Sequence, residues 1–293
     1  MMRSEMLSVG GTSRRQQLDE FSWAASARLQ IFGVRIGIRV NASELLDRLM
    51  ARVPIGRQRT GSTSTERLYS VIRNGPNCSA EQPRNSLFAD GRLLFAGTSW
   101  TDLGDAFESD LEFFIARRCS SFVFVHAGAV SWKGKAIIIP GPSHSGKTTL
   151  VQALLKAGAA YYSDEFAVLD TTGSLHAFPR PLAIRHNGTV SRIAAERAGV
   201  QQVRPCLSTR LVILTAYKTG AHWQPKSVSP GEAMLGLLQN TVAARRYPSL
   251  ALSALQKMVC GARALLGVRG EAGETAHAIL QYLDEGSQSN NSH

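Results

Sequence analysis

The chain has 293 residues, 44% of them hydrophobic, which suits a globular protein with one large domain or two smaller ones. No run of about 18 apolar residues occurs, which excludes a membrane-spanning helix at the level of sequence. The net charge is +11, but the basic residues are scattered and are not interleaved with aromatic residues. We therefore interpret the positive charge as that of a solvated surface. Nucleic-acid binding is an alternative that rests on the net charge alone.

Compartment and redox state follow from two further features. Residues 1–17 lack the apolar segment of a secretory signal, so we expect a cytoplasmic protein. The four cysteines, Cys78, Cys119, Cys206 and Cys260, stand far apart and form no CxxC pair. This spacing favours free thiols over a metal cluster or a disulfide framework.

The first part of the chain predicts a small α+β module over residues 19–118, preceded by a disordered segment over 1–18. The predicted elements are a strand over 31–40, a helix after Asn41, a strand over 67–73, a hairpin over 86–97 and a helix over 101–118. Asn41, with Glu44 three residues on, resembles a capping box. Asp90-Gly91 between two apolar runs is the hairpin signal. The module contains no constellation of catalytic residues.

The second part predicts an α/β domain over residues 119–284, followed by a disordered tail over 285–293. Its predicted strands cover 121–130, 135–141, 159–170 and 211–218, and its predicted helices cover 148–158, 189–198, 230–241, 249–266 and 272–284. The strand Ile137–Ile139 leads directly into a glycine-rich loop, and a helix leads out of it.

That loop fits the pattern G-x-x-x-x-G-K-[ST], which cradles nucleotide phosphates with backbone N–H groups. The predicted nucleotide-binding residues are Gly141, Pro142, Ser143, His144, Ser145, Gly146, Lys147, Thr148 and Thr149. Lys147 supplies a positive charge to the β- and γ-phosphates, and the Thr148 hydroxyl is a Mg²⁺ ligand. ATP and Mg²⁺ are therefore the predicted cofactors.

Two adjacent acids, Asp164 and Glu165, follow the helix, and Asp164 lies seventeen residues after Lys147. A strand that returns beside the loop would bring them to the phosphates. There, one carboxylate can hold Mg²⁺ and another can accept a hydroxyl proton as a general base. Asp170 is a rival acid, but the Thr171–Gly173 turn already accounts for it.

His126-Ala127-Gly128, the loop and Tyr161–Glu165 together resemble the kinase domain of HPr kinase/phosphorylase and its family of related serine kinases. In that family a histidine precedes the loop lysine by twenty-one residues, as His126 precedes Lys147. The resemblance covers about residues 120–190. It implies a P-loop domain with a mixed sheet, related to phosphoenolpyruvate carboxykinase.

The resemblance also implies roles for single residues. Lys147 and Thr148 would bind phosphate and Mg²⁺, and His126 would lie near the transferring phosphoryl group. Asp164 would be the base that activates an acceptor hydroxyl, and Glu165 would assist at the metal. Two positions depart from the family: its second acid is usually Asp, and Ala183 stands where a downstream Glu is expected.

Our leading hypothesis is an ATP-dependent kinase that phosphorylates Ser or Thr of a small protein or peptide, for example a lasso-type peptide precursor. A nucleotide-binding regulatory protein with little transferase activity is the main alternative, and the two departures motivate it. A small-molecule kinase is a further alternative, because no acceptor pocket is recognisable in the sequence. A homo-oligomer is compatible with all of them.

Overall fold

A computed structural model describes residues 14–54, 57–75, 84–142, 145–178, 182–186, 189–193 and 206–288 of the chain. The chain divides into two compact units, residues 1–115 and 116–293, and the division falls in the last turn of one helix. Within the described ranges, no helix is long and apolar enough to cross a membrane.

The first unit is built on a six-stranded sheet. Its elements are α1 (Arg14–Asp19), β1 (Ala25–Ile31), β2 (Val34–Val40), α2 (Glu44–Met50), β3 (Gln58–Arg59), β4 (Arg67–Arg73), β5 (Asn85–Ala89), β6 (Arg92–Gly97) and α3 (Trp100–Arg118). The strand order is β3-β1-β2-β4-β5-β6. Strands β2 and β4 pair in parallel and the other neighbouring strands are antiparallel, so the sheet is mixed.

Several predictions for this unit are confirmed. Strand β4 covers 67–73 as expected, and α3 covers 101–118 with Leu103, Phe107 and Leu111 fully buried. The Asp90-Gly91 turn joins β5 to β6 with both residues at positive φ, as a two-residue hairpin turn requires.

Three predictions for this unit were wrong in detail. The strand predicted over 31–40 begins only at Val34, because Phe32 and Gly33 form a turn at positive φ between β1 and β2. Asn41 caps no helix: its side-chain amide bonds to both backbone groups of Arg73 at 2.9 Å, and α2 begins after Ser43. Part of the segment predicted to be disordered forms α1, in which Leu18 is buried; residues 1–13 lie outside the described residues.

The second unit is built on a larger mixed sheet. Its elements are β7 (Val123–Trp132), β8 (Lys135–Pro140), α4 (Lys147–Lys156), β9 (Ala160–Ser163), β10 (Phe166–Leu169), β11 (Leu175–His176), β12 (Leu182–His186), β13 (Thr189–Ile193), β14 (Cys206–Leu207), β15 (Thr209–Tyr217), β16 (Lys226–Ser227), α5 (Pro230–Gln239), α6 (Pro248–Cys260), β17 (Arg263–Arg269) and α7 (Ala272–Gln288). The sheet order is β14-β11-β10-β7-β8-β15-β17-β16, with β9 also paired to β7. The predicted α/β class with mixed sheets is confirmed.

Helices cover both faces of this sheet. Residues of α5 and α6, including Leu237 and Leu255, share one apolar core with alternate positions of β7 and β8. Residues of α4 and α7, including Leu150 and Ile279, share a second core with the opposite face of the same strands. Burial on both faces explains why Ile137, Ile138 and Ile139 follow one another without a polar residue.

Three predictions for this unit differ from the structure. The helix predicted over 189–198 is wrong for its first part, because Thr189–Ile193 pairs with β12 as an antiparallel strand; residues 194–198 lie outside the described residues. The helix predicted over 249–266 ends at Cys260, and residues 263–269 form β17, which pairs in parallel with β15. Helix α7 continues to Gln288, beyond the predicted boundary at 284, whereas residues 289–293 lie outside the described residues.

The close packing of α4 on β7 generates a stability prediction. A Cβ added to Gly128 in β7 would lie 2.6 Å from Val151 Cγ2 in α4. We expect Gly128→Ala to lower the free energy of unfolding by about 1–3 kcal/mol, because the added methyl overpacks this contact. Urea denaturation measures the loss.

The control is the same substitution in a Val151→Ala background. The shorter side chain removes the crowded methyl, so adding Gly128→Ala there is expected to cost much less. Equal losses in the two backgrounds would contradict the packing explanation.

Candidate active site

The glycine-rich loop lies at the carboxyl ends of three parallel strands. It follows β8, whose parallel neighbour is β15, and β15 pairs in parallel with β17. Antiparallel β7 flanks β8 on the other side and enters the same edge from the opposite direction. Ligands of α/β proteins bind at this edge of a sheet, beyond the carboxyl ends of the strands.

The backbone of the loop is fixed at both ends. The N–H of Gly141 donates to the carbonyl of His126 at 3.2 Å, and the carbonyl of Pro142 accepts from the N–H of Ser145 at 3.3 Å. Gly146 has φ +82 immediately before α4, a conformation that favours glycine. Ser143 and His144 lie outside the described residues.

The polar groups of the loop fit an anion. Lys147 is only 6% exposed and donates from Nζ to the Pro142 carbonyl at 2.7 Å. The Ser145 hydroxyl is buried and has no hydrogen-bond partner within the described part of the chain. A buried lysine, an unsatisfied hydroxyl and the start of a helix in one loop favour a phosphate ligand.

Asp164 lies against the first turn of α4. Its carboxylate is 2% exposed and accepts from Tyr161 Oη at 2.8 Å and from Thr148 Oγ1 at 3.4 Å. Asp164 and Thr148 therefore lie side by side at the start of α4, and Tyr161 donates to the same carboxylate.

Glu165 and His126 form a second polar pair beside the first. His126 Nε2 lies 3.2 Å from Glu165 Oε1, and the Ala127 N–H donates to the Glu165 carbonyl at 3.0 Å. Both side chains retain some exposure, 15% for His126 and 21% for Glu165. Because the His126 carbonyl also accepts from Gly141, this histidine joins the acids to the loop.

A break in the predicted strand over 159–170 places the two acids. Strands β9 and β10 both pair with β7, and Asp164-Glu165 forms the turn between them. Ser163 Oγ accepts from the backbone N–H groups of Glu165 and Phe166 at 3.2 and 3.0 Å, which satisfies amides that the sheet does not pair.

The remaining predicted loop residues are less closely involved. Pro142 and Thr149 are exposed, and Thr149 lies in the first turn of α4. Among the predicted residues that the structure describes, the site therefore brings together Gly141, Ser145, Gly146, Lys147, Thr148, Asp164, His126 and Glu165.

Two further residues of this region, Tyr161 and Arg269, carry no sequence signal that assigns them to the site. Tyr161 was named as part of a strand and of the Tyr161–Glu165 motif without a role of its own, and its hydroxyl donates to Asp164. Arg269, the last residue of β17, is 2% exposed and donates from Nη2 to the Gly146 carbonyl at 2.9 Å. Gly261, directly after Cys260, is a helix-end signal that would have separated α6 from β17 and placed Arg269 at a strand end.

Asp170, the rival acid, is fully engaged in its own turn. Burial raises its pKa, but hydrogen bonds from Thr172, His176 and Ser174 outweigh that effect and lower the pKa to about 2. His176 Nε2 lies 2.7 Å from Asp170 Oδ2. These hydrogen bonds show that the Asp170 carboxylate stabilises the turn that follows β10.

The oxygen atoms near the loop suit Mg²⁺. A carboxylate and a hydroxyl oxygen are hard ligands, and Mg²⁺ in phosphate sites completes its shell with phosphate oxygens and water. Within the described residues, no group of three or more His, Cys, Asp or Glu side chains has an arrangement that could hold a metal ion. Asp164 and Thr148 are the oxygen ligands that this region offers to such an ion.

No protein-family model matches the sequence, and no curated protein matches it. Among solved structures, the chain is similar to the Hpr(Ser) kinase/phosphatase from Coxiella burnetii, with 13% identity and a TM-score of 0.34. The similarity covers 57% of this chain and 98% of that chain. At this identity and TM-score, no residue role transfers from one chain to the other.

The depressed pKa of Asp170 predicts a pH-dependent stability difference. We expect Asp170→Asn to lower the free energy of unfolding by about 2 kcal/mol or less near neutral pH, because the ionised carboxylate accepts several hydrogen bonds. Folding lowers the pKa of Asp170 from 3.8 to about 2. The carboxylate therefore adds to the free energy of unfolding at pH values above 3.8, and this stabilisation is lost as the pH falls from 3.8 to about 2.

Urea denaturation of both proteins across this acidic range measures the difference. The gap between wild type and variant should narrow as the pH falls. A gap that stays constant would contradict the assignment of these hydrogen bonds to the ionised form.

Proposed function

We propose that the protein is a Mg²⁺- and ATP-dependent kinase, related to the HPr kinase-like serine kinases, that transfers the γ-phosphate to a Ser or Thr hydroxyl of a small protein or peptide. One observation carries the proposal. Two consecutive acids border the phosphate loop, one bonded to the loop threonine and the other paired with a histidine whose carbonyl bonds the loop.

The loop residues supply the nucleotide site in this proposal. Lys147 and the backbone amides at the start of α4 bind the β- and γ-phosphates. Thr148 and Asp164 hold Mg²⁺, which neutralises charge on the phosphates when it is bound. Their separation of 3.4 Å is compatible with both oxygens facing one ion.

The burial of the two acids favours a division of roles that differs from the one the family resemblance implies. Asp164 is 2% exposed and already accepts two hydrogen bonds, which suits a metal ligand better than a group that meets an incoming substrate. Glu165 is more accessible and lies beside His126. We therefore assign the proton acceptor to Glu165, with His126 as its partner, and the metal to Asp164.

Phosphoryl transfer requires positioning and charge neutralisation more than covalent chemistry by the protein. A cation, a Mg²⁺ site and a base that accepts the hydroxyl proton are the parts it needs. As the acceptor oxygen forms a bond to the γ-phosphorus and the bond from that phosphorus to the β-phosphate oxygen breaks, the Glu165 carboxylate would take the hydroxyl proton, and Lys147 would balance negative charge on the released diphosphate.

The acceptor class rests on the family resemblance and on charge. A protein with a net charge of +11 attracts acidic partners, and a peptide encoded beside the gene is the first acceptor to test. A small-molecule kinase would use the same nucleotide site.

The test is a transfer assay with γ-labelled ATP, Mg²⁺ and the candidate peptides. Wild type should place acid-stable label on Ser or Thr. Lys147→Ala and Asp164→Asn should abolish transfer, because each removes a phosphate or metal contact. Glu165→Gln should slow transfer about 100-fold or more while ATP binding is kept, because only the proton acceptor is lost.

Asp170→Asn is the matched control, since it removes a carboxylate of the same unit that belongs to a separate turn; it should transfer at the wild-type rate. ATP binding without transfer to any acceptor would favour a nucleotide-binding regulatory protein. Label on a small molecule would favour a small-molecule kinase. Full transfer by Glu165→Gln would overturn the assignment of the base.

A further inference from the structure

Arg269 is a buried cation beside the phosphate loop. It is the last residue of β17, and only 2% of it is exposed. Its two terminal nitrogens donate to backbone carbonyls, Nη2 to Gly146 at 2.9 Å and Nη1 to Gly270 at 3.2 Å. The Nε atom is buried and has no hydrogen-bond partner among the residues that the structure describes.

The charge of Arg269 is not balanced by an ion pair within the described residues. Burial lowers its pKa, and Tyr217 and Glu271 offset that effect only in part, through longer-range attraction. The guanidinium lies 5.3 Å from the Tyr217 ring centroid, within cation–π range. Buried charges in proteins are normally paired, so a guanidinium that has no ion-pair partner among the described residues, next to this loop, points to an anionic ligand.

The bond to Gly146 acts on the part of the loop that faces phosphate. In a trans peptide the carbonyl and the next N–H point in opposite directions. Because Arg269 and the Leu150 N–H hold the Gly146 carbonyl, the Lys147 N–H points away from the body of α4. A Cβ at Gly146 would collide with Arg269 Nη2, so a larger residue at this position would displace the guanidinium from its present place.

Position in the sheet separates Arg269 from the acids. Asp164 and Glu165 reach the loop from the β7 side, whereas Arg269 and Tyr217 end the parallel strands β17 and β15 on the other side of β8. Under the proposed function the γ-phosphate would lie beside the acids, which would leave the phosphates that are not transferred on the Arg269 side.

From these contacts we infer that Arg269 is a positioning residue of the nucleotide site. It orients the Gly146–Lys147 peptide for the phosphates, and the phosphates of the bound nucleotide balance its buried charge. The inference rests on the proposed nucleotide-binding function, but the test separates the two.

The test is calorimetric titration of Mg²⁺-ADP and Mg²⁺-ATP into full-length wild type, Arg269→Lys and Arg269→Met. We expect the dissociation constants of both nucleotides to rise about tenfold or more in Arg269→Met, as for loss of a charged hydrogen bond. The increase in Arg269→Lys should be smaller, because the charge is kept. Arg263→Met is the matched control, since Arg263 lies at the opposite end of β17 and its guanidinium faces Tyr282.

The thermal unfolding temperature of each nucleotide-free protein distinguishes positioning from a purely structural role. A structural residue would lower that temperature and leave the dissociation constants of the folded protein unchanged, which would overturn the inference. If Arg269→Met does not fold, Arg269→Lys decides: wild-type affinity in that variant also overturns it. Failure of the wild type to bind either nucleotide would instead refute the proposed function.

Discussion

The candidate site depends on one electrostatic constraint: two cations, Lys147 and Arg269, are buried beside the glycine-rich loop. Lys147 is almost fully buried and bonds to the Pro142 carbonyl, and Arg269 is more deeply buried still. Burying two positive charges near each other is costly, and Asp164 places a buried carboxylate near the same loop. In the function proposed above, a triphosphate with Mg²⁺ would bring charges of both signs to this arrangement and would involve the loop, the acids and Arg269 together.

The sheet meets this constraint by arranging strands of both directions around the loop. Parallel β8, β15 and β17 bring the loop and Arg269 to one edge, because their carboxyl ends meet there. Antiparallel β7 enters the same edge from the opposite direction, so His126 near its start lies beside the loop. The turn between β9 and β10 then adds both acids, because each of these strands pairs with β7.

Sequence reasoning succeeded where the signal was local and failed where it was distant. The loop, the Asp90-Gly91 hairpin and α3 follow from neighbouring residues, and each was predicted. Asn41 was misassigned because its partner is Arg73 in another strand, which no local pattern reveals. Arg269 was missed because its role depends on the pairing of β17 with β15, two segments that are far apart in the chain. The proximity of Asp164 to Thr148 was predictable only through spacing and family resemblance.

The most direct test of the central claim is calorimetric titration of ATP into wild type and Asp164→Asn, each with and without Mg²⁺. If Asp164 and Thr148 hold the metal beside the phosphates, wild type should bind ATP much more tightly when Mg²⁺ is present. The variant should bind with little dependence on Mg²⁺, because its metal ligand has lost its charge. Wild-type binding that is absent, or that is the same with and without Mg²⁺, would contradict the account.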